Sequence, residues 1–128
     1  MPRTLIQPVD MPDPRPRYSL GWRAGNTIYT AGQLSTDKDG NIVGPNDIRV
    51  QTRRVLEKLR RVLETGGATL RDVVMLHIYI TDLRHRDGFQ EVRQEFFPSN
   101  PPAGTLVQVV ALAVPGALIE IDAVAVVD

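Results

Sequence analysis

Leu118-Ile119-Glu120-Ile121-Asp122-Ala123-Val124-Ala125-Val126-Val127 is the stretch on which the fold turns. Alternate residues of a strand share a face. Ile119, Ile121, Ala123, Ala125 and Val127 therefore make one wholly apolar side, suited to packing under helices. Leu118, Glu120, Asp122, Val124 and Val126 make the other, which is too apolar for a solvated surface yet carries two carboxylates. A single sheet layer with helices on one side must cover its second face. No elements are left over for that task, so the economical cover is another subunit. A carboxylate buried at such a junction without a partner is costly, and Glu120 is expected to meet a ligand or a donor across the interface. The alternative is that Glu120 and Asp122 stay wet at a sheet rim; spacing does not choose between the two.

Upstream, Thr105–Ala113 reads as a strand joined to the last one through the turn Val114-Pro115-Gly116-Ala117. Val73–Thr81, rich in β-branched and aromatic residues, reads as a strand buried on both faces. Between them Phe89, Val92, Phe96 and Phe97 form the apolar stripe of a helix that Pro98, Pro101 and Pro102 stop. A longer helix opens at the N-cap pair Asn46-Asp47. It buries Ile48, Val55, Leu56, Leu59, Val62 and Leu63, and it closes at Gly66-Gly67. Arg53, Arg54, Glu57, Lys58, Arg60, Arg61 and Glu64 fall on its solvated side. Tyr18–Gln33 reads as two short strands about Gly25-Asn26, with a turn following at 37–41. Residues 1–17 hold Pro2, Pro8, Pro12, Pro14 and Pro16 and read as an extended arm rather than a core element; residues 18–128 read as a single domain. The order ββαβαββ is that of an α+β fold, one mixed sheet with two helices packed on one face.

Composition narrows the function. The 128 residues are 42% hydrophobic, enough for one core, and 15 Lys+Arg balance 15 Asp+Glu. There is no basic stripe to displace counterions and few aromatics to stack bases, so no nucleic-acid partner is expected. The absence of cysteine removes disulfides and thiolate chemistry. His77 and His85 are not at the i, i+4 spacing of a helical zinc site, so no metal is expected, and no other cofactor is either. No segment approaches ~18 consecutive apolar residues, and the first residues lack the apolar run of a secretory signal. The expectation is a cytoplasmic protein with no membrane partner.

Several strings resemble the Rid (reactive intermediate deaminase, YjgF-like) family over residues 16–127. Pro16-Arg17-Tyr18-Ser19 is similar to its Gly-Pro-Tyr-Ser, and Ala31-Gly32-Gln33 to its Ser-Gly-Gln. A helix opened by Gln51 and closed by Gly66-Gly67, the strand Ile78-Tyr79-Ile80-Thr81-Asp82, the pair Phe96-Phe97 and the closing Ile119-Glu120-Ile121-Asp122-Ala123 follow in family order. The resemblance implies a chorismate-mutase-like homotrimer with three pockets at subunit clefts, hydrolysing short enamines or imines derived from amino acids. It implies that the glutamate matching Glu120 positions or activates water, and that backbone groups at the Ser-Gly step complete the pocket. An arginine in a Pro-Ala-Arg string would grip the substrate carboxylate as a bidentate fork.

That arginine is missing. Pro102-Ala103-Gly104-Thr105 puts Gly104 in its place. Ala31 stands for the serine, Leu106 for a small polar residue or cysteine, and Gln90 for an asparagine. Departures gathered at the pocket while the scaffold strings survive point to a changed or lost activity on a retained fold. Alternation puts Gly104, Leu106, Gln108 and Val110 on one face, which the resemblance places with Glu120. The expected site is thus Glu120 as catalytic group, with Tyr18, Ala31, Gly32, Gly104, Leu106 and Gln108 binding substrate. Gln90 and Arg93 are further candidates, Arg93 as a replacement charge from a neighbouring subunit. His77 is expected to be packed rather than catalytic. Three functions compete: a Rid-like enzyme in a pathway-specific role, a non-catalytic module binding a small ligand or protein, and an endoribonuclease, which the neutral charge disfavours.

Overall fold

The computed structural model describes residues 2–128. In chain order it contains β1 (Arg3–Ile6), β2 (Gly21–Ala24), β3 (Thr27–Thr30), β4 (Gln33–Leu34), α1 (Ile48–Thr65), β5 (Val73–Ile80), α2 (Arg86–Phe96), β6 (Ala103–Gln108) and β7 (Ile119–Val126). The strands form one sheet in the order β1-β2-β3-β7-β5-β6, with β4 also paired to β7. All pairings are antiparallel except β5 with β6, which run parallel. A parallel pair needs a crossover, and α2 supplies it.

The two sides of β7 separate as the alternation requires. Ile119, Ile121, Ala123 and Ala125 are buried, while Glu120, Asp122, Val124 and Val126 are only half-buried. Leu118 does not follow the latter group; it packs against the core. Val55, Leu56, Leu59, Val62 and Leu63 of α1 and Phe89 and Val92 of α2 close the core over the apolar side. The N-cap of α1 is Asp47, whose carboxylate accepts from the Val50 N–H at 3.1 Å. Gly67, at φ +92°, ends the helix in a conformation costly to any side chain. Gln51 is buried in the first turns of α1 and ties two loops together, the one before α1 and the one before β7. Its Nε2 donates to the carbonyls of Gly44 and Gly116 at 3.1 Å each, and its Oε1 accepts from the Leu118 N–H at 2.9 Å.

Three expectations are corrected. The arm contributes a strand: Arg3–Ile6 pairs antiparallel with Ala24–Gly21, and Ile6 is 2% exposed. The prolines flank this run without entering it, and an edge strand needs ladder bonds on one side only. The strand expected over 105–113 runs instead from Ala103 to Gln108, because the Val109 N–H makes the last bond, to Ile80 at the end of β5. Arg54 and Lys58, placed by periodicity on the solvated side of α1, instead reach over the end of β4 and donate to Leu34 and Thr36.

Among the described residues no helix covers the second side of the sheet. Register aligns Trp22, Tyr29, Val124, Met75 and Ala103 in a row across it, followed by Asp122, His77 and Thr105, then Glu120, Tyr79 and Val107. Tyr29 is 54% and Val107 42% exposed. The first row is apolar throughout and lies uncovered, which marks this side as a binding face.

Candidate functional site

Glu120 stands in the last of those rows. Its side chain lies against Gly32, where a Cβ would come within 2.5 Å of Oε2. Only glycine leaves room for the carboxylate there. Gly32 follows Ala31, whose N–H donates to the Leu20 carbonyl at 2.8 Å, and it leads into β4, whose Leu34 is in register with Glu120. Burial, and secondarily the negative charge of Asp122, raise the Glu120 pKa above the ordinary 4.5. Glu120 has no hydrogen-bond partner among the described side chains, whereas Asp122 has two. His77 Nδ1 lies 2.6 Å from Asp122 Oδ1, and the Tyr79 hydroxyl donates to Oδ2 at 3.3 Å. Burial and the Asp122 charge raise the Tyr79 pKa. One carboxylate is occupied and the other is free to act on a ligand.

The expectation that Gly104, Leu106 and Gln108 share a face with Glu120 is wrong. β6 runs parallel to β5 with Leu76 opposite Gly104, Ile78 opposite Leu106 and Ile80 opposite Gln108. Leu76, Ile78 and Ile80 are the buried, helix-covered positions of β5, whereas Glu120 is opposite Tyr79. Alternation within one strand gives its two faces but not which one joins a neighbour's; register decides that. Ala103, Thr105 and Val107 are the β6 residues on the Glu120 side. Leu106 packs against the core, and Gln108 Oε1 accepts from the Leu83 N–H at 2.9 Å. Gly104 faces α2: a Cβ there would lie 3.6 Å from the Arg93 guanidinium, which sits 5.3 Å above the Phe89 ring. Gln90, one turn before Arg93, is half-buried on the same helix.

Two groups of candidates therefore stand apart. Glu120 and Gly32 meet, Ala31 precedes them, and the half-exposed Tyr18 shares with Gly32 a pocket beside β4. Gly104 meets Arg93 of α2 on the other side of the sheet, where Leu106 also packs, and Gln90 lies on the same helix as Arg93. His77 is not simply packed; its contact with Asp122 depends on strand register, which periodicity does not carry. Among the described residues no cluster of His, Asp and Glu could hold a metal ion, and no helix is long and apolar enough to cross a membrane.

A model of the family described as Endoribonuclease L-PSP matches residues 9–127. Among solved structures, Rv2704 of Mycobacterium tuberculosis, from the YjgF/YER057c/UK114 family, is 33% identical with a TM-score of 0.84, covering 98% of this chain and 100% of its own. YyfA of Yersinia pestis, from the conserved Rid family, is 31% identical with a TM-score of 0.90, again covering 98% and 100%. E. coli TdcF, solved with bound serine, is 28% identical over 98% of this chain and 99% of its own, with a TM-score of 0.88.

Proposed function

Since the chain belongs to the Rid (YjgF-like, Endoribonuclease L-PSP) family, several of whose members act on small reactive imines and enamines, we propose that it forms a homotrimer whose clefts take up an enamine, imine or related conjugated carbonyl compound. Glu120 is the acid–base group. The observation that carries this reading is the free, half-buried Glu120 carboxylate on an uncovered apolar sheet face, seated on a glycine that leaves it room. The candidates on β6 and α2 lie on the other side of the sheet, so one chain cannot bring them to Glu120. A cleft between two copies can, with the Glu120 group from one subunit and the Gly104 and Arg93 group from its neighbour.

The chemistry follows from the raised pKa. A carboxyl nearer to neutrality is a better proton donor at working pH and still a competent base. As the acid, Glu120 protonates an enamine carbon to give the iminium. As the carboxylate it takes a proton from water while the oxygen adds to the iminium carbon, the one bonded to nitrogen. Glu120 passes that proton to the amine nitrogen and takes one from the carbinolamine hydroxyl as ammonia leaves, so the carbonyl compound is released and Glu120 ends protonated, as it began. Gly104 leaves out an arginine side chain and so makes room for a substrate bulkier than short amino-acid imines, while the Arg93 guanidinium, 3.6 Å from where a Gly104 Cβ would lie, is the positive charge on that side.

The test is ammonia release from a panel of imines generated in place, wild type against Glu120→Gln and Asp122→Asn. Glu120→Gln is expected to abolish turnover with the trimer intact, because the amide keeps the shape but cannot exchange the proton. Asp122→Asn is expected to be milder. A Glu120→Gln trimer that still turns over would remove the acid–base role. The absence of an arginine at position 104 favours a second reading, a binding module without chemistry. Saturable binding with no turnover across the panel would select it.

A further inference from the structure

The chain has two lysines, Lys38 and Lys58, and both line one pocket. It is about 470 Å³ in volume and lies between the N-terminal segment, the loop after β4 and α1. Tyr18 and Gly32 belong to its wall and Glu120 does not, so it adjoins the Glu120 surface without being part of it. Its polar groups are its own. Lys58 is half-buried, and Nζ donates to the Leu34 carbonyl at 2.8 Å and to Thr36 Oγ1 at 3.0 Å. An ammonium has three N–H groups, and the third has no acceptor among the described residues. Arg54, one turn earlier, donates Nε and Nη2 to the Thr36 carbonyl at 3.1 and 3.0 Å, leaving Nη1 over. Gln33, 4% exposed in the same wall, has a buried Nε2 with no partner. Ammonium, guanidinium and amide are all donors, and an acceptor-rich ligand is what they lack.

The charge balance points the same way. No carboxylate among the described residues forms an ion pair with Lys58. Burial, then the neighbouring Arg54 charge, lowers its pKa to about 8. The acids that line the pocket are engaged elsewhere or open to water. Asp10 pairs with Arg61 and Asp13 with Arg15, the Asp37 carboxylate accepts from the N–H groups of Asp39 and Asn41, and Asp39 is exposed. These acids disfavour a doubly charged anion more than a singly charged one. Arg17 and Lys38 add positive charge near solvent, and Met11, Leu20 and Val114 supply apolar wall.

We propose that this pocket binds a small organic monocarboxylate, its two oxygens held by Lys58 and Arg54 and its short hydrocarbon part against Met11, Leu20 and Val114. A carboxylate there stabilises the ammonium. Binding therefore raises the Lys58 pKa, takes up a proton near pH 8, and weakens as pH rises through that value.

With only two lysines, ¹³C-labelled full-length protein gives one Cε signal for each. Both are titrated between about pH 6 and 11, alone and with propionate, propionamide or inorganic phosphate. Propionate is expected to raise the Lys58 pKa saturably by at least about half a unit, with a smaller change at Lys38, and propionamide is expected to do nothing. Lys58→Met should abolish saturable propionate binding, and Lys58→Arg should restore part of it. Equal drifts of both lysines with salt, or no saturation, would overturn the proposal. A response to phosphate without one to propionate would overturn the carboxylate assignment. Every readout is of binding in the wild-type chain or its variants, so failure of the Glu120 chemistry leaves the test intact.

Discussion

Glu120 combines a functional advantage with a cost to stability. Its folded pKa lies above the ordinary 4.5, so the native state holds more protons than the unfolded chain between those two values. The stability this contributes is fully present below 4.5 and is lost as pH rises through the folded pKa. At pH 7 the ionised carboxylate weighs against the fold, and Glu120→Gln should melt above wild type there, the gap closing toward pH 4. Calorimetry at matched subunit concentration reads the difference; an equal or lower Tm at pH 7 would contradict the burial argument. Gly32 makes a companion case. A methyl there would collide with the end of a flexible side chain rather than with backbone. Gly32→Ala should therefore fold, within about 1 kcal/mol of wild type, while displacing the carboxylate and lowering kcat. Normal turnover in a folded Gly32→Ala protein would separate the carboxylate's present position from catalysis. Glu120 and Gly32 were legible in the sequence because one sits in a half-apolar strand and the other in a recurring family string. Lys58 was not: helical periodicity put it among the solvated charges, and only the fold shows β4 ending under its ammonium.

At the level of elements, alternation and capping reproduced α1, α2 and β7 closely, since their apolar patterns are long; β5 has the expected bounds, but the face carrying Met75, His77 and Tyr79, read as buried, is only half-buried. The short pieces escaped. β1 is four residues between prolines, and β4 is two residues whose pairing with β7 has no local pattern to announce it. Yet β1 carries part of the core: Ile6 packs so closely on Gly66 that a Cβ there would lie 2.5 Å from its Cδ1. Ile6→Ala should cost about 2–5 kcal/mol, measured by denaturant unfolding. A loss near zero would mean that the strand only decorates the edge. The misassigned face of β6 has another origin. The pattern of a strand fixes its two sides, but the parallel register set by the α2 crossover fixes which side faces the helices, and that is a tertiary fact.

For the whole molecule the uncovered row from Trp22 to Met75 calls for a partner, and a threefold assembly lets one surface cover another in a closed ring. Light scattering should give three times the 14.2 kDa chain at micromolar concentration; a stable monomer would remove both the interface and the cleft. The division of candidate residues between the two sides of the sheet permits a sharper test. Glu120→Gln disables one half of a cleft. Gly104→Asp, which sets a carboxylate beside the Arg93 guanidinium, should disable the other while leaving Glu120 untouched. Each variant alone is expected to be inactive. Co-refolded in equal amounts they form mixed trimers, and a cleft is intact when its Glu120 half comes from the Gly104→Asp subunit and its Gly104 half from the Glu120→Gln subunit. Random assortment makes that about a quarter of clefts, so about a quarter of wild-type activity should return if subunits mix freely. Folded mixed trimers without recovery would place both halves within one subunit's own site, a Gly104→Asp protein active on its own would show that the β6 face has no part in the reaction, and either result would end the shared-cleft reading.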